Sequence, residues 1–501
     1  MRVWLVCGLL LVACGSVEQG EVTLAVQPAS VFFRRGETAM VQVTATDATG
    51  AVAVSASGLP PGVTADPLDL DGATPGMLVL HADATATQGL ANVMLAADVG
   101  GSAALRMLVG GPPGTLDESF AEGGKLLPVL NNQPLSSRGM VFTDHGAVIT
   151  GFVVSNPPQA ITLRVLEDGT PDPAFGSNGF VSTGAGTVSE GIALVSRPDG
   201  SIVVAGVVGG TGSLDNDFGL FGYNLDGSLD TGFGASGVAQ LDPGNGFGEY
   251  HNIQLAQDGS LLLGGVLFPA DGTAPTTRVV RYSATGQQDP AFNIGEAGVA
   301  AEGSTLQMDG KLVMVGSLNG DFWLGRYNPT GGRDMGFGGG GFVTTDFAPD
   351  NANPNGVVAL PGGKLLVIGV GTAAGSTASH VLLARYNANG SLDATFGAGG
   401  KVVTTVSFES LSPTPVAAAG MQTLFIGAVG ALPAVVRFNA DGTPDAAFGE
   451  AGVATVDFAV AGSSNRTGAF GLAVDPDGRI LISAELGPAG NEKLGVARLW
   501  P

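Results

Sequence analysis

A chain of 501 residues is too long for one ordinary core, and a hydrophobic fraction of 44% with only 13% charged residues argues against disorder. Eighty-two glycines and few lysines favour many short strands joined by tight turns over long helices, so the composition is that of an all-β protein. The formal charge of −23 repels phosphate, which disfavours nucleic acid and anionic lipid headgroups as partners; that charge is otherwise accounted for by solubility.

Chain order begins with Arg2, the apolar run VWLVCGLLLVA over residues 3–13, and then Cys14. A bilayer crossing takes roughly 20 residues, so this run is a signal core and not a membrane span. Leu11-Val12-Ala13-Cys14 resembles the lipobox of bacterial lipoproteins. The resemblance implies that residues 1–13 are removed as a lipoprotein signal peptide and that Cys14 receives a diacylglycerol. It also implies an acyl chain on the new amino terminus, and stable anchoring does take two or more chains. Residues 14–20 would be the lipidated tether, and the membrane a partner through that lipid. Gly15 stands where an aspartate would mark inner-membrane retention, so the resemblance points to the outer membrane or cell surface. The alternative is an ordinary secretory signal and a secreted or periplasmic protein. Cys7 leaves with the signal, so the mature chain can form no disulfide.

Residues 21–111 read as short alternating segments between turn signals: VTLAVQP, SVFFRRG, TAMVQVTAT, AVAVSASG, MLVLHADA, ANVMLAADV and SAALRMLVG. Strands at such spacing predict a β-sandwich. The stretch SASGLPPGVTADPLDLDGATPGMLVLHADATATQG resembles the immunoglobulin-like modules of bacterial surface proteins, without a Cys–Trp–Cys landmark. Gly-Gly-Pro-Pro-Gly at 110–114 reads as a linker or sharp turn.

From residue 112 onward internal repetition dominates. An Asp-x-x-Phe-Gly theme recurs at Asp117, Asp172, Asp230, Asp289, Asp334, Asp393 and Asp445, spaced 45 to 59 residues apart. Within each interval lies a turn and a β-rich run (HGAVITG, DGSIVVAG, DGSLLLGG, DGKLVMVG, GGKLLVIG, GMQTLFIG, DGRILISA), then a segment ending in Arg-Tyr or an equivalent. Each repeat thus supplies four strands, one blade of a propeller. These motifs resemble the delta-60 repeat of bacterial proteins over residues 114–501, which implies a propeller-like architecture and carries no activity. The expected fold is all-β: a seven-bladed β-propeller over 112–501 with an N-terminal immunoglobulin-like β-sandwich. Repeat four is short, and repeats one and six lack the clean Asp-Gly turn.

The sequence ends after a seventh third strand, while GGKLLPVL at 123–130 follows the first phenylalanine motif with no blade before it. That segment is expected to complete the last blade and close the ring. Arg164, Arg281, Arg326, Arg385 and Arg437 each precede a motif aspartate by eight residues, with Gly222 in that place in repeat two. Closure would give Arg498 the partner Asp117, so a recurring Arg–Asp contact at the outer turn of each blade is expected. The recurring phenylalanines are expected to pack into hydrophobic gaps between strands.

No residue set carries recognisable chemistry. The four histidines, His81, His145, His251 and His380, fall at unrelated repeat positions, and no HExxH or CxxC spacing pairs metal ligands. GFGGGGF at 336–342 lacks the Lys-Ser/Thr and helix of a phosphate loop, and LDLDG at 68–72 lacks the spaced acids of a calcium loop. No catalytic or metal-binding residue and no cofactor are therefore expected. By phase, the starts of the inner strands fall at Arg138, Glu190, His251, Glu302, Asn355 and Phe470, candidate positions for a protein or polysaccharide ligand on the propeller face. The expected role is a surface-anchored binding or display scaffold. The alternatives are a propeller hydrolase or lyase acting on extracellular polysaccharide or peptide, and a passive envelope component.

Overall fold

The computed structural model describes residues 22–184, 188–209, 216–241, 246–269, 273–373, 379–408, 416–419, 422–430, 432–460 and 468–501. Cys14, with the expected signal peptide and tether over residues 1–20, lies outside them. The chain divides into two compact units between Gly111 and Pro112.

In the first unit, Thr23–Gln27, Thr38–Thr46, Gly76–Ala82 and Val63–Ala65 form one sheet in that order. Ser30–Arg34, Ser102–Gly110, Gly89–Ala97, Ala51–Ser57 and Leu68–Asp71 form a second. Alternation sets which face is buried: Ala39, Val41, Val43 and Ala45 turn inward along one strand, with Thr38, Met40, Gln42 and Thr46 outward. They share one core with Val52, Leu70, Val93 and Leu95 of the second sheet. The LDLDG stretch is a strand: Leu68 and Leu70 point in, the aspartates point out, and Gly72 turns the chain at φ 58°.

Among the described residues the second unit holds seven four-stranded antiparallel sheets. The first is Leu135–Thr143, Gly146–Val153, Gln159–Val165 and Phe180–Thr183. The second is Ser189–Ser196, Ile202–Gly209, Asn216–Tyr223 and Val238–Leu241. The third is Gly246–Leu255, Leu261–Pro269, Thr276–Tyr282 and Gln288–Ala297. The fourth is Ala300–Leu306, Leu312–Leu318, Asp321–Tyr327 and Phe342–Thr345. The fifth is Asp350–Ala359, Leu365–Ala373, Ser379–Tyr386 and Lys401–Phe408. The sixth is Val416–Ala419, Gln422–Val429, Leu432–Phe438 and Val453–Thr455.

The seventh sheet takes Gly468–Val474, Ile480–Leu486 and Lys493–Leu499 from the end of the chain and its fourth strand, Lys125–Leu126, from the front. Lys125 faces Ala497 and Leu126 faces Val496, and an isolated bridge joins Leu116 to Leu499. Only two residues pair, fewer than the segment 123–130 promised, because Pro128 has no N–H to extend the ladder. The first strand of each sheet touches that of the next, and the first sheet touches the seventh. Apolar side chains fill the gaps between neighbours. Val203 and Leu220 of the second sheet meet Leu261 and Leu263 of the third, and Leu135 and Ile149 of the first meet Leu481 and Val496 of the seventh.

Candidate functional site

The strands put two kinds of surface at opposite ends of the second unit. At one end lie the turns between third and fourth strands, which carry the Asp-x-x-Phe-Gly motif. Each motif aspartate accepts at Oδ1 the backbone N–H two residues on, for example Ala174 at 2.8 Å from Asp172 and Thr395 at 3.1 Å from Asp393, so the carboxylate shapes its own turn. Its Oδ2 accepts the arginine. Arg164, Arg281, Arg326, Arg385, Arg437 and Arg498 reach Asp172, Asp289, Asp334, Asp393, Asp445 and Asp117 at 2.5 to 3.0 Å. The same guanidiniums lie 4.4 to 4.8 Å over the rings of Phe175, Phe292, Phe337, Phe396, Phe448 and Phe120. Arg164, Arg281, Arg326, Arg385 and Arg498 also donate onward to carbonyls of the following sheet, as Arg326 does to Ala388 at 2.6 Å and Arg498 does to Glu167.

Repeat two shows what the arginine does by lacking it. Gly222 stands in its place, the Phe233 ring moves into the vacant space, and Arg197 from a neighbouring turn covers that ring at 5.4 Å and donates to Ala284 at 2.6 Å. GFGGGGF is the fourth sheet's copy of this turn: Gly338, at φ 54°, donates its N–H to the Asn389 carbonyl. This end is built to hold sheets together.

The other end holds the starts of the first strands. Pairing between first and second strands slips by one residue at Ser137/Gly139, Gly191/Ala193, Tyr250/Asn252, Ala301/Gly303, Pro354/Gly356 and Ala469/Gly471. The extra residue is Arg138, Ile192, His251, Glu302, Asn355 or Phe470, and a β-bulge turns such a side chain off the ladder. The glycines that follow permit close approach between sheets. A Cβ on Gly139 would stand 2.8 Å from the Ile192 carbonyl oxygen, and one on Gly471 would stand 2.7 Å from Met140.

Five of the six sequence-proposed positions are therefore bulge residues. Glu190 is not; it lies two residues before the bulge at Ile192. The side chain of His251 lies outside the described residues. Glu302 is half-buried. Asn355 is buried and its Oδ1 has no hydrogen-bond partner among the described residues. Arg138 and Phe470 come together: the Arg138 guanidinium lies 4.9 Å from the ring of Phe470 and 4.9 Å from that of Phe152. Its Nη1 donates to Glu485 Oε2 and to the Ser137 carbonyl, each at 2.8 Å. Glu485 is buried and also accepts from Ser136, while Ser137 donates to Ser483 at 2.6 Å. Burial raises the Glu190 carboxyl above its ordinary value, and the Arg138 charge opposes that rise. Phe152 and Glu485 lie on second strands and carried no sequence signal, since nothing local marks which residue of a neighbouring sheet will face a bulge.

The Arg138 cation between two rings, the buried Glu485 and the buried amide oxygen of Asn355 are groups suited to hydrogen bonding and stacking with a polar ligand. No curated protein matched the chain. The family described as "Domain of unknown function (DUF5122) beta-propeller" matches residues 256–292, 360–396 and 431–448, each segment ending on a motif phenylalanine. Among solved structures, a protein from Lactobacillus plantarum is similar at 13% identity and TM-score 0.44, over 74% of this chain and 96% of that one. The WD40 domain of Toxoplasma gondii coronin is similar at 10% identity and TM-score 0.43, over 75% and 87%. Prolyl oligopeptidase B from Galerina marginata is similar at 10% identity and TM-score 0.38, over 70% of this chain and 47% of that one. With the family match added to its four-stranded antiparallel sheets, the second unit is a β-propeller.

Proposed function

We propose that this chain is a lipid-anchored surface protein in which an immunoglobulin-like module carries a seven-bladed propeller of delta-60 type, and that the bulge end of the propeller is its binding face. The observation that carries the reading is internal to the repeats. At the turn end the blades repeat the same Asp and Phe, and all but the second the same Arg, and each has a packing task. At the bulge end the backbone repeats while the side chain does not: Arg138, Ile192, His251, Glu302, Asn355 and Phe470 occupy one register position with six chemistries. A constant scaffold with a varied face is what recognition requires, whereas a spacer needs no such variety.

The ligand class is a protein segment or polysaccharide of the cell envelope or its surroundings. The test is retention of envelope and matrix fractions by the immobilised protein, compared with Arg138→Ala and Glu302→Gln. Retention unaffected by both variants would leave the face without a role. Anchoring is tested separately by palmitate labelling of the chain and of Cys14→Ala; an unlabelled parent chain would remove the lipoprotein part of the reading.

A further inference from the structure

The seven repeats act as controls for one another at the turn end. In four sheets the residue that opens the second strand puts a second donor on the motif carboxylate. Lys311 reaches Asp334 Oδ2 at 3.2 Å, Lys364 reaches Asp393 Oδ2 at 2.7 Å, Gln422 donates to Asp445 Oδ2 at 2.6 Å, and Arg479 lies 3.7 Å from Asp117 Oδ2. That oxygen therefore has a place for two donors, the arginine of the third strand and a nitrogen from the second.

The other three sheets lack this donor: Ser201 and Ser260 hold the position in the second and third and bond Asp199 and Asp258 instead. The first sheet has no side chain there at all, because its hairpin is the tight Asp144-His145 turn, closed between Thr143 and Gly146, which puts Gly146 at the position. Gly146 sits at φ 111°, where a Cβ would strike the Val165 carbonyl, so no side chain can fill the gap from that position. Among the described residues Asp172 Oδ2 accepts from Arg164 Nε alone, at 2.6 Å, although the carboxylate is buried. The space left over is a cavity of about 570 Å³ around the Arg164–Asp172 pair, walled by His145, Ala174, Asn224, Leu225 and Asp226.

We propose that this cavity binds an alkylammonium group. The ammonium donates to Asp172 Oδ2 as the Lys364 ammonium does to Asp393, and its stem lies on the half-exposed Leu225. Asp226, whose carboxyl is held below its ordinary value by the hydroxyl and N–H of Ser228, adds a second negative charge at the wall. A divalent metal fits less well: among the described residues no three acids or histidines converge to hold one, and the Arg164 charge repels a dication more strongly than a singly charged ammonium. The ammonium is either the side chain of a lysine on a polypeptide or a free small amine.

Saturation-transfer NMR on the full chain tests this with n-butylammonium, Nα-acetyl-lysine methylamide and, as a cation without N–H, tetramethylammonium. The expected result is saturable binding of butylammonium and no binding of tetramethylammonium. Affinity should fall by about tenfold or more in Asp172→Asn and in Leu225→Trp, which fills the cavity and leaves both side chains of the ion pair in place. Equal or tighter binding of the lysine amide identifies a polypeptide source, and binding of butylammonium alone identifies a free amine. Lys364→Ala, which opens the same vacancy at Asp393, should create a second butylammonium site. If Asp172→Asn does not fold, Leu225→Trp decides. Signals identical in the parent and Leu225→Trp, or shared by tetramethylammonium, would overturn the proposal.

Discussion

At the scale of single residues, the motif aspartates are the most heavily used groups in the chain. Asp393 accepts from Lys364 and Arg385 at Oδ2 and from Thr395 at Oδ1. Led by the Lys364 bond and the Thr395 hydroxyl, these hold its carboxyl far below the ordinary carboxylate range. A depressed folded-state pKa means that the unfolded chain binds the proton first on acidification. The stabilisation is therefore complete above the ordinary value near 3.9 and drains away as pH falls toward the folded-state value. Asp393→Asn should cost about 2–3 kcal/mol at pH 7, and that difference from the parent should shrink in melts at pH 3. A penalty unchanged across that range would place the stabilisation in packing and not in charge. Gly222 gives the opposite lesson. Restoring the repeat's arginine there looks corrective, yet a Cβ at Gly222 would stand 2.7 Å from the Phe233 ring, and Arg197 already covers that ring. Gly222→Arg should destabilise by about 1–3 kcal/mol through overpacking, read as a lowered midpoint in denaturant.

At the scale of elements, closure rests on a two-residue strand, so side chains carry much of the seam. Asp117 meets Arg498 at 2.8 Å and Arg479 at 3.7 Å; Arg479 also reaches Glu167 at 2.9 Å and Asp475 at 2.6 Å, and Asp117, Arg479 and Arg498 are all buried. Removing one charge from such a set strands its partners, at about 3–5 kcal/mol. Asp117→Asn should therefore speed hydrogen exchange at 115–126 and 493–499, whereas Asp445→Asn, the same motif inside a covalently continuous blade, should loosen only its own turn. Equal and local effects would mean that the seam is no weaker than any other junction. The strands and the closing partner were legible in the sequence because Asp-Gly turns, alternating runs and the eight-residue Arg–Asp spacing are local signals. Other features were not. The bulges are slips between two strands, so one strand's residues do not reveal them, and Glu190 falls two residues short of the bulge at Ile192. In the third repeat the motif lies within the extended strand Gln288–Ala297, where Asn293 stands in place of the turn glycine. The second donors at Lys311, Lys364 and Gln422 are far from their aspartates in sequence and looked like ordinary strand starts.

At the scale of the whole propeller, the two ends divide the work. Charge and aromatic packing recur blade after blade at the turn end, and a change there alters stability whichever blade it strikes. Among the described residues the bulge end keeps a buried amide oxygen on Asn355 with no partner, a feature that costs stability unless something else uses it. If Asn355 is kept for a ligand, the near-isosteric Asn355→Leu should raise the thermal midpoint, by the equivalent of about 1 kcal/mol, while abolishing retention of the ligand fraction. If the residue is structural, held by a buried water, the same substitution should lower the midpoint and leave retention unchanged. The two outcomes have opposite signs in both readouts, so this one variant separates a recognition face from an inert one.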